Sequence, residues 1–346
     1  MPQDTVYIIP KWLRTPLEKE HLYIHPSGDS IYLPDSFFGT GGYEGWVIAE
    51  QIRKQNEIQY KKEQSDFSWV IFLVLLITGV VLAVLTNLVE AIPEWIERRK
   101  RIKKAKVLID ERGIQYHNWL ISYNPYYASL TEAGKERFLI RTAAFMQSKV
   151  FRYHAMIPEE YIPVLISGAA VQITFGLRNF LMDYFSVIHV IKGEYRIPGN
   201  DEDIYHGHVS RKGIHVAWNH FLYGFGDYKD CINVGLHEMA HAVSYDAFLG
   251  AEDLHDARFK RRLEEFRKLG RPVFRAMRAG DSHLLDNYAA TNIDEFWAVC
   301  VETFFENTEE FKRTMPDLYH SITCLLNQDP LDLEKIINKK LAWLAI

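Results

Sequence analysis

The hydrophobic and polar positions divide the chain at one uninterrupted apolar run. Residues 67–89 read FSWVIFLVLLITGVVLAVLTNLV and contain no charged residue, histidine or proline. A helix of this length spans roughly 34 Å, whereas the hydrocarbon core of a bilayer is about 30 Å thick. A buried helix of a soluble domain is the alternative, but such helices are rarely apolar on every face. The run therefore predicts one transmembrane helix, with the lipid bilayer as its partner.

The charges on either side of this run predict its orientation. Seven basic residues follow it between positions 98 and 106, whereas four precede it between positions 53 and 62 and are interleaved with acidic residues. Positively charged flanks favour the cytoplasmic side of a membrane. We therefore expect a single-pass membrane protein whose long C-terminal part is cytoplasmic.

The prolines, glycines and charges outside the run divide the chain further. We expect a small N-terminal extramembrane region that ends in an amphipathic helix, then the transmembrane helix, a basic juxtamembrane helical linker and a C-terminal domain. These segments cover residues 1–66, 67–89, 90–130 and 131–346.

Helical periodicity dominates the C-terminal domain, so the expected fold class is α+β and mostly helical, with a small edge sheet. The residues of 186–197 are rich in β-branched side chains and predict a strand, and the polar stretch 199–213 predicts a loop. The segment GIHVAWNHF at 213–221 alternates like an edge strand. Helices are predicted at 230–248, 252–269, 292–306 and 315–326.

Composition narrows the class of protein. The 346 residues include 25% charged ones and carry a net charge of −5, so they lack the excess of positive charge that favours nucleic-acid binding. We therefore expect no nucleic-acid partner. Three cysteines without metal-site spacing exclude a small disulfide-stapled domain.

The candidate chemistry lies in the segment HEMAH. His237 and His241 are four residues apart, so on a helix they share one face and can bind one metal ion. Glu238 follows the first histidine, at the place where a general base for a metal-activated water is needed. Two solvated histidines beside a capping glutamate are the alternative. The flanking residues are all uncharged, which predicts a buried helix where unliganded polar groups would be costly.

A catalytic zinc site needs a third protein ligand. No third histidine follows at the spacing of H-E-x-x-H-x-x-G-x-x-H, so we expect a carboxylate from a later helix. Glu295 and Glu302 are seven residues apart and share a face, so spacing alone does not choose between them. The four candidates are Asp294, Glu295, Glu302 and Glu306.

Three segments resemble a known family. NVGLHEMAHAV, NYAATNIDEFWAVCVETFFEN and MPDLYHSITCLLNQDP are similar to the MtfA (Mlc titration factor A) family of zinc-dependent peptidases, whose catalytic region is similar to that of lethal-factor-type metalloproteases. The likeness runs from about residue 135 to residue 330. It implies a zincin-like domain, one Zn²⁺ ion and a peptide or protein substrate.

The family pattern Y-x6-E matches Tyr288 and Glu295. The resemblance therefore implies that Glu295 is the third zinc ligand and that Tyr288 donates a hydrogen bond to the oxyanion formed during hydrolysis. It also implies that the strand at 213–221 pairs with an extended substrate. The family often has aspartate three residues after the second histidine, where this chain has Ser244. We therefore expect the support of the metal ligands to be rearranged.

The sequence thus predicts a membrane-anchored zinc metallopeptidase with His237, His241 and Glu295 as ligands, Glu238 as base and Tyr288 as oxyanion donor. A second hypothesis is a regulatory binding protein on a zincin scaffold that sequesters a transcriptional regulator or another partner at the membrane. A third reverses the topology and makes the domain a surface protease. His206 and His208 form H-x-H in the polar stretch and are interpreted as solvated.

Overall fold

The computed structural model describes residues 20–24, 30–34, 42–197, 200–227, 229–250, 254–281 and 284–333. The chain forms two compact units, Met1–Glu94 and Trp95–Ile346. The second unit begins within the stretch that the sequence predicts to be a linker.

The first unit contains a small hairpin and the beginning of a long helix. Strands β1 (Glu20–Ile24) and β2 (Ser30–Pro34) pair antiparallel, with Leu22 opposite Tyr32. Helix α1 (Gly42–Tyr123) follows and continues into the second unit. The large apolar side chains described between residues 69 and 82 are all exposed; Leu75, for example, is 65% exposed.

The backbone of the predicted transmembrane helix lies within the described helix α1, but not all of its side chains are described. Side chains in the range 67–89 are described at 68–83 and at 86. In the part of the chain that the structure describes, no helix is both long enough and apolar enough to cross a membrane. The transmembrane helix is therefore not confirmed.

Local sequence explains where the first helices of the second unit begin and end. Helix α1 ends before Asn124-Pro125, and the Asn124 side chain accepts a hydrogen bond from the backbone N–H of Tyr127 at the start of α2 (Pro125–Ser129). Thr131 caps α3 (Glu132–Gln147) in the same way, through the N–H of Gly134. A proline thus follows the end of α1 directly, and a threonine cap begins α3.

A four-stranded sheet and a separate two-stranded ribbon make up the β-structure of the second unit. The sheet has the order β3-β4-β8-β7, with β3, β4 and β8 parallel and β7 antiparallel to β8. Its strands are β3 (Val150–His154), β4 (Val187–Ile191), β7 (Gly207–Ser210) and β8 (Gly213–Ala217). The ribbon consists of β5 (Tyr195–Ile197) and β6 (Asn200–Tyr205), which pair antiparallel.

The predicted edge strand at 213–221 is wrong in two respects. Only Gly213–Ala217 forms a strand, β8, and helix α5 begins directly afterwards at Trp218. Strand β8 also lies inside the sheet, because β7 covers its outer side. The predicted loop at 199–213 forms β6 and β7 instead. These strands are short and polar, so they lack the apolar alternation from which a strand is recognised in sequence.

Helices cover one face of the sheet. Ile188, Val190, Ile214 and Val216 are fully buried and point to this face. Helix α6 lies at the centre and packs against α4, α7 and α8 and against strands β7 and β8. The helices are α4 (Tyr161–Thr174), α5 (Trp218–Gly226), α6 (Val234–Leu249), α7 (Leu254–Arg278), α8 (Ile293–Glu306), α9 (Thr308–Thr314) and α10 (Pro316–Leu326). The unit is mostly helical with a small sheet, which confirms the α+β class.

A row of histidines crosses the sheet. His208, His215 and His189 are register partners on β7, β8 and β4, and His154 on β3 adjoins His189. The ring centroids of His208 and His215 are 3.9 Å apart, and those of His215 and His189 are 4.3 Å apart. Because side chains alternate along a strand, these rings lie on the face opposite the buried residues of β4 and β8.

Candidate metal centre

Two capped helices, α6 and α8, position the candidate site. The Asn233 side chain accepts a hydrogen bond from the N–H of Leu236 and so begins α6 about one turn before His237 and two turns before His241. Asn292 caps α8 by accepting from the N–H groups of Asp294 and Glu295. The predicted ligands therefore lie in the first half of two helices that pack against each other.

The structure brings His237, His241 and Glu295 together. Nε2 of His237 lies 2.8 Å from Oε2 of Glu295 and 3.2 Å from Nε2 of His241. Nε2 of His241 lies 3.1 Å from the same oxygen of Glu295. Ligand atoms at the 2.0–2.1 Å bond lengths of tetrahedral zinc are about 3.3 Å apart. Two imidazoles and a carboxylate at these separations fit one such ion.

Glu302 lies behind this cluster rather than in it. Its Oε1 is 2.6 Å from Nδ1 of His237, and its Oε2 accepts a hydrogen bond of 2.7 Å from the backbone N–H of Asn233. A carboxylate only accepts hydrogen bonds, so Nδ1 of His237 donates to Glu302, and Nε2 is the nitrogen of this ring that faces the cluster. Glu302 therefore fixes the orientation and the tautomer of His237.

The other two carboxylates that spacing left open are bound elsewhere. Asp294 pairs with Arg267 at 2.6 Å. Glu306 accepts a hydrogen bond of 2.8 Å from Nδ2 of Asn233. Burial raises the pKa of Glu306 to about 9, so this carboxyl is protonated at neutral pH. Of the four candidates, Glu295 alone lies among the histidine Nε2 atoms.

Glu238 is buried beside strand β7. A Cβ atom at Gly207 would lie 2.5 Å from its Oε1, so only glycine allows the strand to pass this carboxylate. Its Oε2 has no hydrogen-bond partner among the described residues. Burial raises the pKa of Glu238 to about 7, because the charged form loses its hydration. This carboxylate can therefore take up or release a proton near neutral pH.

Hydrogen bonds within the cluster shift the pKa values of His237 and Glu295 in opposite directions. Burial would lower the pKa of His237, but the charges and hydrogen bonds of Glu302 and Glu295 hold it well above its usual range. Burial would raise the pKa of Glu295, but hydrogen bonds from His237 and His241 hold it at about 2. The site therefore attracts positive charge, which a divalent cation would also supply.

Tyr288 lies at the rim of the cluster. It belongs to a short 3₁₀ helix, Asn287–Ala290, whose start is fixed because Asp286 accepts a hydrogen bond from the backbone N–H of Tyr288. Its ring centroid is 5.8 Å from that of His237, and the residue is 52% exposed. The predicted oxyanion donor therefore adjoins the predicted ligands and reaches solvent.

His237 and His241 differ in the hydrogen bonds that their Nδ1 atoms make. Nδ1 of His241 is buried and has no hydrogen-bond partner in the described part of the chain. Ser244 donates to the backbone carbonyl of His241, and Asp246 accepts from the N–H of Tyr184. Neither hydrogen bond reaches an imidazole, which agrees with the rearrangement expected from Ser244.

Sequence reasoning missed the roles of Asn233, Gly207 and Glu302. Asn233 caps α6 and also binds two carboxylates of α8. A signal for Glu302 was present, since its spacing of seven residues from Glu295 places both carboxylates on the same face of α8. No local pattern marks Gly207, because its contact with Glu238 depends on long-range pairing of the sheet.

Comparison with known proteins gives two matches. Residues 95–325 match the family described as glucose-regulated metallo-peptidase M90. The chain is also similar to an uncharacterized protein of Synechocystis sp., with 22% identity over 275 residues, which cover 73% of this chain and 98% of that protein. The family match covers more than half of the chain and confirms the resemblance to the MtfA peptidases. The chain therefore belongs to the glucose-regulated metallopeptidase family M90.

Proposed function

We propose that this chain is a zinc-dependent peptidase that hydrolyses peptide bonds of a peptide or protein substrate with water. The observation that carries the proposal is the convergence of His237, His241 and Glu295 within hydrogen-bonding distance, with the buried Glu238 next to the first of them. The donor set and the spacing suit one Zn²⁺ ion.

Each residue of the site has its own role in the proposed reaction. The three side chains of His237, His241 and Glu295 would hold zinc, which would supply a Lewis acid that activates water. Glu238 accepts a proton from the attacking water and then donates it to the nitrogen of the leaving amine. Because Glu238 is buried and its pKa lies near neutrality, it can perform both transfers. Glu302 holds the ring of His237 so that its Nε2 faces His241 and Glu295, where the ion would bind.

The substrate would be held from two sides. Tyr288 at the rim donates a hydrogen bond to the carbonyl oxygen as negative charge develops on it. Strand β7 is an edge of the sheet in the described part of the chain and passes Glu238 at Gly207. An extended peptide can add to such an edge through backbone hydrogen bonds, which would place its carbonyl next to the catalytic base. In this role β7 replaces the strand at 213–221 that the resemblance implied.

The substitution Glu238→Gln tests the proposal. It removes the proton acceptor and keeps the side-chain shape, so we expect peptide turnover to fall by roughly 10²- to 10⁴-fold while bound zinc stays the same. Peptide hydrolysis and zinc content are measured on the same samples, together with Tyr288→Phe, which should lower kcat without loss of zinc. Glu265→Gln, an exposed position on α7, is the matched control and should keep full turnover.

Undiminished turnover by Glu238→Gln would contradict the mechanism. The regulatory alternative makes a different prediction. Under it, wild type and Glu238→Gln would capture the same partner protein, and neither would cleave it.

We further propose that residues 67–89 anchor the chain in a membrane, with the C-terminal unit in the cytoplasm. The exposed apolar side chains described at 69–82 support the anchor, since a continuous apolar surface of this kind is costly in water. The seven basic residues at 98–106 support the orientation.

Membrane fractionation tests the anchor and its orientation. The full chain should stay with the membranes after alkaline carbonate extraction, whereas a chain that lacks residues 1–94 should be released. In sealed inside-out vesicles the C-terminal unit should be open to added protease. Release of the full chain would contradict the anchor, and protection of the C-terminal unit would indicate the reverse topology.

A further inference from the structure

A second cluster of metal-ligating side chains lies outside the candidate metal centre. Glu194, His206 and His220 each direct one ligand atom into the same space, and these atoms all lie within 4.8 Å of one another. The rings of His206 and His220 stack with centroids 3.7 Å apart and planes inclined by 12°. Nε2 of His206 is 3.9 Å from a carboxylate oxygen of Glu194. Glu194, His206 and His220 together form the ribbon cluster.

The fold brings the ribbon cluster together from three elements. Glu194 directly precedes β5 and His206 directly follows β6, so the two residues lie side by side at the open end of the ribbon. Tyr195 and Tyr205 are register partners, and therefore Glu194 and His206 form the next pair beyond them. His220 belongs to the first turn of α5.

Backbone hydrogen bonds hold these elements in place. The N–H of Ala217 donates to the carbonyl of His206 at 2.8 Å, and the N–H of Asn219 donates to the carbonyl of Lys192 at 3.1 Å. The junction between β8 and α5 is thus bonded both to the segment that enters the ribbon and to the segment that leaves it. The cluster rests on a defined backbone rather than on a chance meeting of surface side chains.

The side-chain chemistry suits a transition-metal ion. Two imidazoles and a carboxylate are the donor set found at His237, His241 and Glu295, and it suits first-row divalent ions such as Zn²⁺, Ni²⁺ and Co²⁺. A neutral imidazole presents one nitrogen lone pair to such an ion. Binding requires the ring of His206 to tilt out of its stack, which its exposure allows.

His208, two residues after His206, makes different contacts. Nδ1 of His208 lies 2.6 Å from the hydroxyl of Tyr195, and its ring stacks on His215. The H-x-H pair interpreted as solvated from the sequence is therefore divided. His208 belongs to the row across the sheet, and His206 belongs to the ribbon cluster.

We propose that Glu194, His206 and His220 bind a second divalent transition-metal ion, which clamps the ribbon β5–β6 to helix α5. Exposure of Glu194 and His206 leaves room for water to complete the coordination. His206 is followed by Gly207, the residue of β7 that lies against Glu238. An ion in the ribbon cluster would therefore fix the chain one residue away from the strand beside the proposed base.

Metal titration of the purified full chain tests the inference. After removal of metal with a chelator, Co²⁺ is added, and its binding is followed by visible absorption and calorimetry. We expect the wild-type chain to bind two Co²⁺ ions and the double variant His206→Ala/His220→Ala to bind one. His154→Ala/His189→Ala removes two stacked histidines elsewhere on the sheet and should still bind two, so it is the matched control.

A milder variant keeps the test valid if the double variant does not fold. Glu194→Gln changes one exposed ligand, so the fold should be unaffected. Loss of a contact that merely supports a metal ligand weakens binding by roughly 10- to 100-fold. Glu194 is itself a proposed ligand, so we expect the Kd of the second ion to rise by at least this factor. The Kd of the first ion should not change. An unchanged Kd for both ions would overturn the inference.

The titration also separates this inference from the proposed function. If the wild-type chain binds one ion that His237→Ala loses, the ribbon cluster is no metal site and the proposed function stands. If the wild-type chain binds one ion that His206→Ala/His220→Ala loses and His237→Ala retains, the ribbon cluster stands and the proposed zinc site fails.

Discussion

The domain contains two clusters with the same donor set and very different surroundings. Each offers two imidazoles and one carboxylate. At the candidate metal centre the side chains of His237 and Glu295 are only 14% and 17% exposed, whereas those of His206 and Glu194 in the ribbon cluster are 48% and 61% exposed. The ligand types are equal, so differences in affinity between the clusters must come from burial and from what holds each ligand.

The second difference is the layer of residues behind the ligands. His237 is fixed by Glu302, which in turn binds the backbone of Asn233, and Asn233 binds Glu306. In the described residues no carboxylate outside the ribbon cluster hydrogen-bonds to either of its imidazoles. Such supporting contacts raise metal affinity by orienting the ligands in advance. We therefore expect the centre on α6 and α8 to bind metal more tightly than the ribbon cluster.

The largest predicted effect is on the free energy of unfolding, which the buried carboxyl of Glu306 lowers. The pKa of Glu306 is about 9 in the folded chain, against an ordinary value of 4.5. Between these values the folded state holds a proton that the unfolded state has lost, so the free energy of unfolding falls as pH rises from about 4.5 to 9. Glu306→Gln removes this cost and should stabilise the chain by about 3 kcal/mol at pH 7.

Chemical denaturation of the chelated protein at pH 4 and pH 8 measures this effect. The gain from Glu306→Gln should be large at pH 8 and absent at pH 4. Glu309→Gln, an exposed position at the start of α9, should give no gain at either pH. Equal stability of wild type and Glu306→Gln at pH 8 would show that the buried carboxyl carries no such cost.

A smaller effect is expected at the ligand support itself. Glu302→Gln replaces the carboxylate that accepts from Nδ1 of His237, so the affinity of the centre for zinc should fall by roughly 10- to 100-fold. This change corresponds to about 1.4 to 2.7 kcal/mol. Competition with a fluorescent chelator measures the Kd. The ribbon cluster is the internal reference, because its affinity should not change.

Equal loss of affinity at both clusters would mean that Glu302→Gln disturbs the fold rather than one ligand. An unchanged Kd at the centre would show that burial alone separates the two clusters.

Local periodicity predicts the candidate site better than it predicts the pairing of strands in the sheet. The spacing of His237 and His241 fixes their common face because both lie on one helix. The spacing of Glu295 and Glu302 also gives the correct face of α8, and the two carboxylates indeed contact the two nitrogens of His237. Spacing cannot tell which carboxylate meets which nitrogen, and only the resemblance to the Y-x6-E pattern selected Glu295.

The sheet shows where local reasoning fails. The alternation of Ile214 and Val216 correctly indicates a strand, but a strand's neighbours are set by residues far away in sequence. Strand β7, which borders Glu238, is four residues long and contains glycine, histidine and serine, so no apolar pattern marks it. The ribbon cluster was missed for the same reason, since Glu194, His206 and His220 meet only after the ribbon has formed.

Asn233 has a consequence for how the centre acquires its ion. Its groups bond to Leu236 within α6, to Glu302 and Glu306 on α8, and to the carbonyl of Gly224 on α5. All of these bonds join protein to protein, so the three helices stay locked when the centre is empty. In zinc fingers, by contrast, loss of the metal unfolds the chain. We therefore expect metal to load reversibly onto a folded protein, and chelation should leave the circular dichroism spectrum unchanged.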